Sequence, residues 1–188
     1  MKILLRLILI IVVIAVVGCR HSQAQSEQTS YILPIDKLAT YENYSILHVN
    51  PTWIVAAYSE HIGTQDSRSE ILAYRLKNNK WHKAFSKILE HAYNARIELR
   101  RDMQYGNNPI IVLRVQYGAG YEEQEVYAIS KGSFHLLQTL GAGMFEWSYL
   151  TKDSRVILIG IPAHVDEKLI FFKWNGAQFQ VDATLIPK

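Results

Sequence analysis

The chain has 188 residues, 49 % of them hydrophobic and 20 % charged, which is ample apolar material for one domain with its own core. Its formal net charge of +3 leaves no strongly basic footprint of the kind that nucleic acid demands. A lone cysteine excludes an intramolecular disulfide, so the fold must rest on its hydrophobic core.

Lys2 and Arg6 open the chain, and Leu7–Val17 follows as eleven residues without a polar side chain. That length suits the apolar region of a secretory signal, whereas a membrane-spanning helix needs about 20 apolar residues. Extending the run back to Ile3 would include Arg6, a costly residue at bilayer depth. The run closes on Val16-Val17-Gly18-Cys19. This stretch resembles the lipobox of bacterial lipoproteins, in which a small residue precedes the acylated cysteine. The resemblance covers residues 1–19. It implies cleavage before Cys19, a diacylglycerol on its sulfur and a fatty acyl group on the new amino terminus. One acyl chain binds a membrane only marginally, and several anchor it stably. On the same family pattern an aspartate after the cysteine favours the inner membrane, so Arg20 points to the outer membrane. An ordinary signal peptide, or an uncleaved anchor with an incidental cysteine, is the competing reading.

Removal of Lys2 and Arg6 with the signal lowers the balance from +3 to +1. Leu99–Asp102, "LRRD", is then the densest basic spot and reads as a solvated face. The expected organisation is a signal peptide over 1–18, a flexible Gln/Ser-rich tether over 19–30 and a single β domain over 31–188.

Within the domain, short β-branched and aromatic runs alternate with turn residues. Three stretches line up: Ile71–Phe85, Glu125–Leu137 and Leu169–Val181. Each is a strand, a polar turn ("KNNK", "SKGS", "NGAQ") and a second strand opened by an aromatic residue. The aromatic pairs Tyr74 and Trp81, Tyr127 and Phe134, Phe172 and Phe179 are each seven residues apart. Before each hairpin lies an almost continuously apolar strand: Pro51–Tyr58, Asn108–Val115 and Ser154–Ile161. Such runs suit strands buried on both faces. Tyr44–Val49, Ala95–Arg100 and Phe145–Leu150 supply a further strand to each unit. The expected fold is therefore all-β, with three antiparallel units of about four strands, propeller-blade-like or open and sandwich-like. Phe85, Ile88, Leu89 and Ala92 also fit one helical face, so a short helix near 83–94 competes with the strand reading there.

Ile97–Val115 resembles an FG-GAP or integrin-alpha-type β-propeller repeat, which carries an Asp/Asn/Gly calcium loop between two strands. On that pattern Asp102 matches the first calcium ligand and Gln104 is a weak substitute for the next. Gly106 and Ile110 replace the remaining carboxylates. Calcium takes six to eight oxygens, so the loop reads as disarmed and no metal or cofactor is expected.

No two of His21, His48, His61, His82, His91, His135 and His164 have a metal-binding spacing. There is no Gly-x-Ser-x-Gly, and Gly118, Gly120, Gly141 and Gly143 lack the strand-to-helix context of a phosphate loop. If the three units are equivalent, the loops Ser59–Ser69, Gln116–Gln124 and Pro162–Glu167 emerge at one end. They carry Glu60, His61, Asp66, Tyr121, Glu122, Glu123, His164, Asp166 and Glu167, a set suited to a cation, a basic peptide or a glycan. The plainer reading is that loops are polar because they face water. The expected role is a non-enzymatic envelope lipoprotein, held to the membrane by lipid on Cys19 and binding an envelope protein or glycan but no nucleic acid. A hydrolase acting on the envelope through the acidic, histidine-bearing loops, and an inhibitor of host lytic enzymes, are the alternatives.

Overall fold

The computed structural model describes residues 41, 43–150, 155–164, 166–182 and 184. The expected signal segment 1–18, the tether 19–30 and Cys19 lie outside the described residues. The described residues form β1 (Asn43–Asn50), β2 (Trp53–Glu60), β3 (Arg68–Lys77), β4 (Lys80–Glu90), β5 (Asn94–Tyr105), β6 (Asn108–Tyr117), β7 (Tyr121–Ser130), β8 (Ser133–Ala142), β9 (Met144–Leu150), β10 (Arg155–Ile161), β11 (Ile170–Trp174) and β12 (Phe179–Val181). They make three four-stranded antiparallel meanders, β1 to β4, β5 to β8 and β9 to β12, with each strand bonded to the next. The all-β, three-unit architecture read from the sequence is the one observed.

The turns explain the meanders. Asn78 and Asn79 (φ 48° and 59°) and Lys131 and Gly132 (φ 48° and 75°) take the left-handed backbone that two-residue hairpins require. In the third unit the Asn175 side-chain oxygen accepts from Ala177 N and Gln178 N, both at 2.9 Å, and closes an Asx turn.

Register shows how alike the units are. Ile54 faces Tyr74, Ile111 faces Tyr127 and Leu158 faces Phe172 across neighbouring strands. The first two units also share a bulge, where the pairing slips at Ala73/Tyr74 and at Val126/Tyr127. Those slips leave Ala84 and Leu137 as the extra residues, three positions after Trp81 and Phe134 respectively.

The middle sheet has a core on each face because its strands alternate with period two. Ile111, Leu113, Val115, Tyr127 and Ile129 meet Trp53, Val55, Ala57, Ile71 and Ala73 of the first sheet. Ile110, Val112, Val126 and Leu140 meet Phe145, Leu158, Phe172 and Phe179 of the third. This double burial is why β6 reads as an unbroken apolar run. The aromatic pairs of the second and third units both face the preceding sheet, and Tyr127 stacks on Phe134 with centroids 4.8 Å apart. Tyr74 and Trp81 lie with Ile54, Ala56 and Leu72 in a separate cluster on the other face of the first sheet.

The short helix that competed for 83–94 does not form, and Lys80–Glu90 is a strand paired with β3. The physical reason is the bulge at Ala84. It transfers the inward phase so that Phe85 and Leu89 join the core between the first two sheets, while Ile88 is left 51 % exposed. The slip breaks strict alternation, and that mimics helical spacing in the sequence. Asp102 sits on β5, where Arg100 donates to its two oxygens at 3.0 and 2.7 Å. Arg100 also lies 4.0 Å above the Trp147 ring, which ties the middle and third sheets together.

Candidate functional site

Meander geometry places the β2–β3, β6–β7 and β10–β11 connections at corresponding ends of the three sheets. Contacts among the units and the segments linking them lie at these ends. Asn43 Nδ2 donates to Asn94 Oδ1 (2.5 Å), where β1 and β5 begin. The His91 ring meets Gln65 O at 3.2 Å. Gly143, between β8 and β9, is pressed against Pro162 and Ala163, and a β-carbon there would lie 2.5 Å from Ala163 N.

The nine candidate residues occupy this end but divide into three groups. Glu60, at the close of β2, is paired with Arg68, and that hydrogen bond holds its carboxyl below the usual range against the opposing effect of burial. His61, with φ 53°, and Asp66 are exposed on the following loop. His164, Asp166 and Glu167 are exposed between β10 and β11, where Glu167 N donates to His164 O at 3.2 Å. Tyr121, Glu122 and Glu123 belong to β7 itself, because the connection expected over Gln116–Gln124 is only the three residues Gly118–Gly120. Tyr121 is 44 % exposed and its hydroxyl donates to Glu123 at 3.1 Å. Glu122 is buried and accepts two hydrogen bonds from Arg114, both 2.9 Å. Among the described residues no hydrogen bond or ion pair joins one group of candidates to another, and no three His, Cys, Asp or Glu side chains form a metal-binding set.

Two features of this end were not recognised in the sequence reading, although it named Tyr121 and Glu122 among the candidates. The first is apolar: Ile62, Tyr121, Met144, Leu169 and Ile170 are exposed large side chains in or beside the connections. Water does not favour such side chains, and an exposed apolar residue at each of the three connections suits a contact surface more than a solvated rim.

The second is a cleft of about 130 Å³ lined by Asn94, Arg96, Arg114, Val115, Gln116 and Glu122. Arg96 and Arg114 face each other directly across β5 and β6, a pairing of like charges that sheets ordinarily avoid. Arg114 is satisfied by Glu122 and also donates to Phe145 O at 3.2 Å. The Glu122 hydrogen bonds raise its proton affinity despite burial, and the charges of Glu98 and Glu146 add to this. Glu98 is itself engaged, accepting from Trp147 Nε1 at 3.0 Å. Arg96 is exposed and, among the described residues, has no ion pair or hydrogen bond. Aligning the units on Ile54, Ile111 and Leu158 puts Ala57 and Ser45, or Ile161 and Met144, where the middle unit has Arg114 and Arg96. That comparison is the signal by which the pair was detectable.

No family model, curated protein or solved structure matches this chain.

Proposed function

We propose that the chain is a bacterial envelope lipoprotein, anchored through Cys19 and favouring the outer membrane, whose β domain binds a protein or glycan partner without turning it over. One observation carries the reading: Lys2 and Arg6, the apolar run Leu7–Val17, then Gly18-Cys19, followed by a polar tether and a domain. The order matches each physical step of export and lipid anchoring. Binding rather than hydrolysis is favoured because the charged candidates stand in three separate groups. Glu60 and Glu122 are already neutralised by Arg68 and Arg114. The exposed Ile62, Tyr121, Met144 and Leu169 on the same end favour a protein over a glycan as partner.

The test is metabolic labelling of cells making the full chain with an alkyne palmitate analogue, together with membrane fractionation. Label on the wild-type chain and none on Cys19→Ser, which leaves the membrane fraction, is the expected result. A wild-type chain that carries no label while its Leu7–Val17 segment is cleaved would overturn the anchor. Cross-linking in intact cells then tests the partner. Loss of a discrete adduct on replacing Tyr121 and Met144 by Ser is expected, and an adduct indifferent to both would remove the loop-bearing end from the proposal.

A further inference from the structure

We infer that the cleft at the loop-bearing end of the middle sheet receives a carboxylate from an acidic segment of a protein partner, and that Arg96 is the group that meets it. The inference rests on the binding reading above and names the chemistry of its partner.

Three independent observations converge. Arg96 is an exposed cation with no side-chain partner among the described residues, and it lines an open cleft of about 130 Å³ that has room for a carboxylate. It stands directly opposite Arg114 in the β5–β6 register, a like-charge pairing that sheets ordinarily avoid. Arg114 meets its own needs with Glu122 and Phe145 O, so the one charge left over is that of Arg96. Finally, the pair occurs where the middle unit departs from its neighbours, which hold Ser45 with Ala57 and Met144 with Ile161 at the equivalent positions. A local rule broken in one copy of a repeat, with Arg114 compensated by Glu122 but Arg96 left without a partner among the described residues, is the pattern expected of a functional position.

The remaining lining fixes the kind of anion. Asn94 uses its side-chain oxygen to accept from Asn43, so its amide N–H groups remain for a ligand, and Gln116 offers a second amide. A planar guanidinium flanked by amide donors matches the two oxygens of a carboxylate. The Glu122 carboxylate on the cleft wall is held by Arg114 and opposes any anion, a compact dianion at that point more than a single carboxylate, which disfavours phosphate and sulfate. Tyr121 and Met144, exposed at the same end, supply the apolar contacts that a protein segment would cover.

The full-length protein in detergent, labelled with 15N, is titrated with tetraglutamate, oligogalacturonate and sodium sulfate. Tetraglutamate should shift the Arg96 Nε–Hε and the Asn94 and Gln116 side-chain amide signals saturably. Its affinity should fall several-fold between about 50 and 200 mM salt. Arg96→Gln should weaken it about tenfold while the rest of the spectrum stays in place. Tighter binding of oligogalacturonate would overturn a protein source in favour of an acidic glycan. Equal binding of sulfate would overturn carboxylate recognition, and no saturable shift, or one indifferent to Arg96→Gln, would overturn the site. Cross-linking of Arg96→Gln in cells separates this inference from the reading beneath it. A partner captured equally well by the variant sinks the cleft and spares the binding reading. Tetraglutamate binding with no partner captured by the wild type does the reverse.

Discussion

Removing the charge of Lys87 tests whether the first two sheets are held by a buried ion pair. Lys87 of β4 pairs with Glu125 of β7, whose other oxygen accepts from the Tyr127 hydroxyl at 2.5 Å. The Glu125 side chain is 2 % exposed and lies between the sheets, so Lys87→Met leaves a carboxylate with one neutral donor and no counter-charge. Breaking such a pair costs about 3–5 kcal/mol. The Lys87 side chain is itself 37 % exposed, so water can reach the vacated place and the lower figure, about 3 kcal/mol, applies. In a domain of this size that is a fall in Tm of about 6–12 °C. Urea titration followed by tryptophan fluorescence reads the free energy directly. Adding Glu125→Gln to Lys87→Met removes the stranded charge but keeps an acceptor for Tyr127, and should recover at least half of the loss. A single variant that costs less than about 1 kcal/mol, or a double variant no better than the single, would refute the reasoning.

Three other outcomes follow from the same cores. Burial pushes the Tyr117 phenol up to about 12, and burial with the hydrogen bond to Glu125 pushes Tyr127 up as well. The unfolded chain releases these protons near pH 10, so stability is intact below that and falls as pH rises toward 12. The slope is about 1.4 kcal/mol per pH unit for Tyr127, which is fully buried. A flat urea midpoint from pH 9 to 11, or a slope unchanged in Tyr127→Phe, would contradict it. Phe134 packs on Tyr127, Phe85 and Trp53, so Phe134→Ala should cost about 3–5 kcal/mol in urea titration, whereas Leu136→Ala, two residues along the strand at an exposed position, should cost under about 1. Gly143→Ala places a β-carbon against the backbone of Pro162 and Ala163 and should cost about 1–3 kcal/mol, measured the same way, because backbone cannot swing aside.

Most of the fold was legible because its determinants are local. Asn78-Asn79 and Lys131-Gly132 announce hairpins through turn chemistry, and period-two alternation marks the strands between them. The continuous apolar run of β6 announced a strand covered on both faces, as Ile111 and Val112 are by different sheets. Residues 83–94 misled because a bulge is a property of the pairing. Ala84 is extra only with respect to Ala73 and Tyr74, and nothing within the segment marks it. The same blindness lengthened the β6–β7 connection. Tyr117 pairs with Tyr121 around three residues, which draws Glu122 inward to Arg114, and that pairing overrides the acidic, loop-like composition of the stretch.

The candidate site was less legible for a related reason. Charge and polarity identify residues that face water, and Asp66, His164 and Glu167 were found that way, whereas Glu60 and Glu123 are only part-exposed. A repeat, however, constrains its faces to be equivalent, because each must pack on a neighbour of the same kind. The informative positions are those where one unit stops obeying that constraint. Arg96 and Arg114 are 18 residues apart in sequence and become a pair only through the β5–β6 register. Their oddity appears only when Ser45 with Ala57 and Met144 with Ile161 are set beside them through the registers of the other sheets. Glu122 neutralises Arg114, Arg96 has no side-chain partner among the described residues, and an outside carboxylate at Arg96 would give the departure a physical reason.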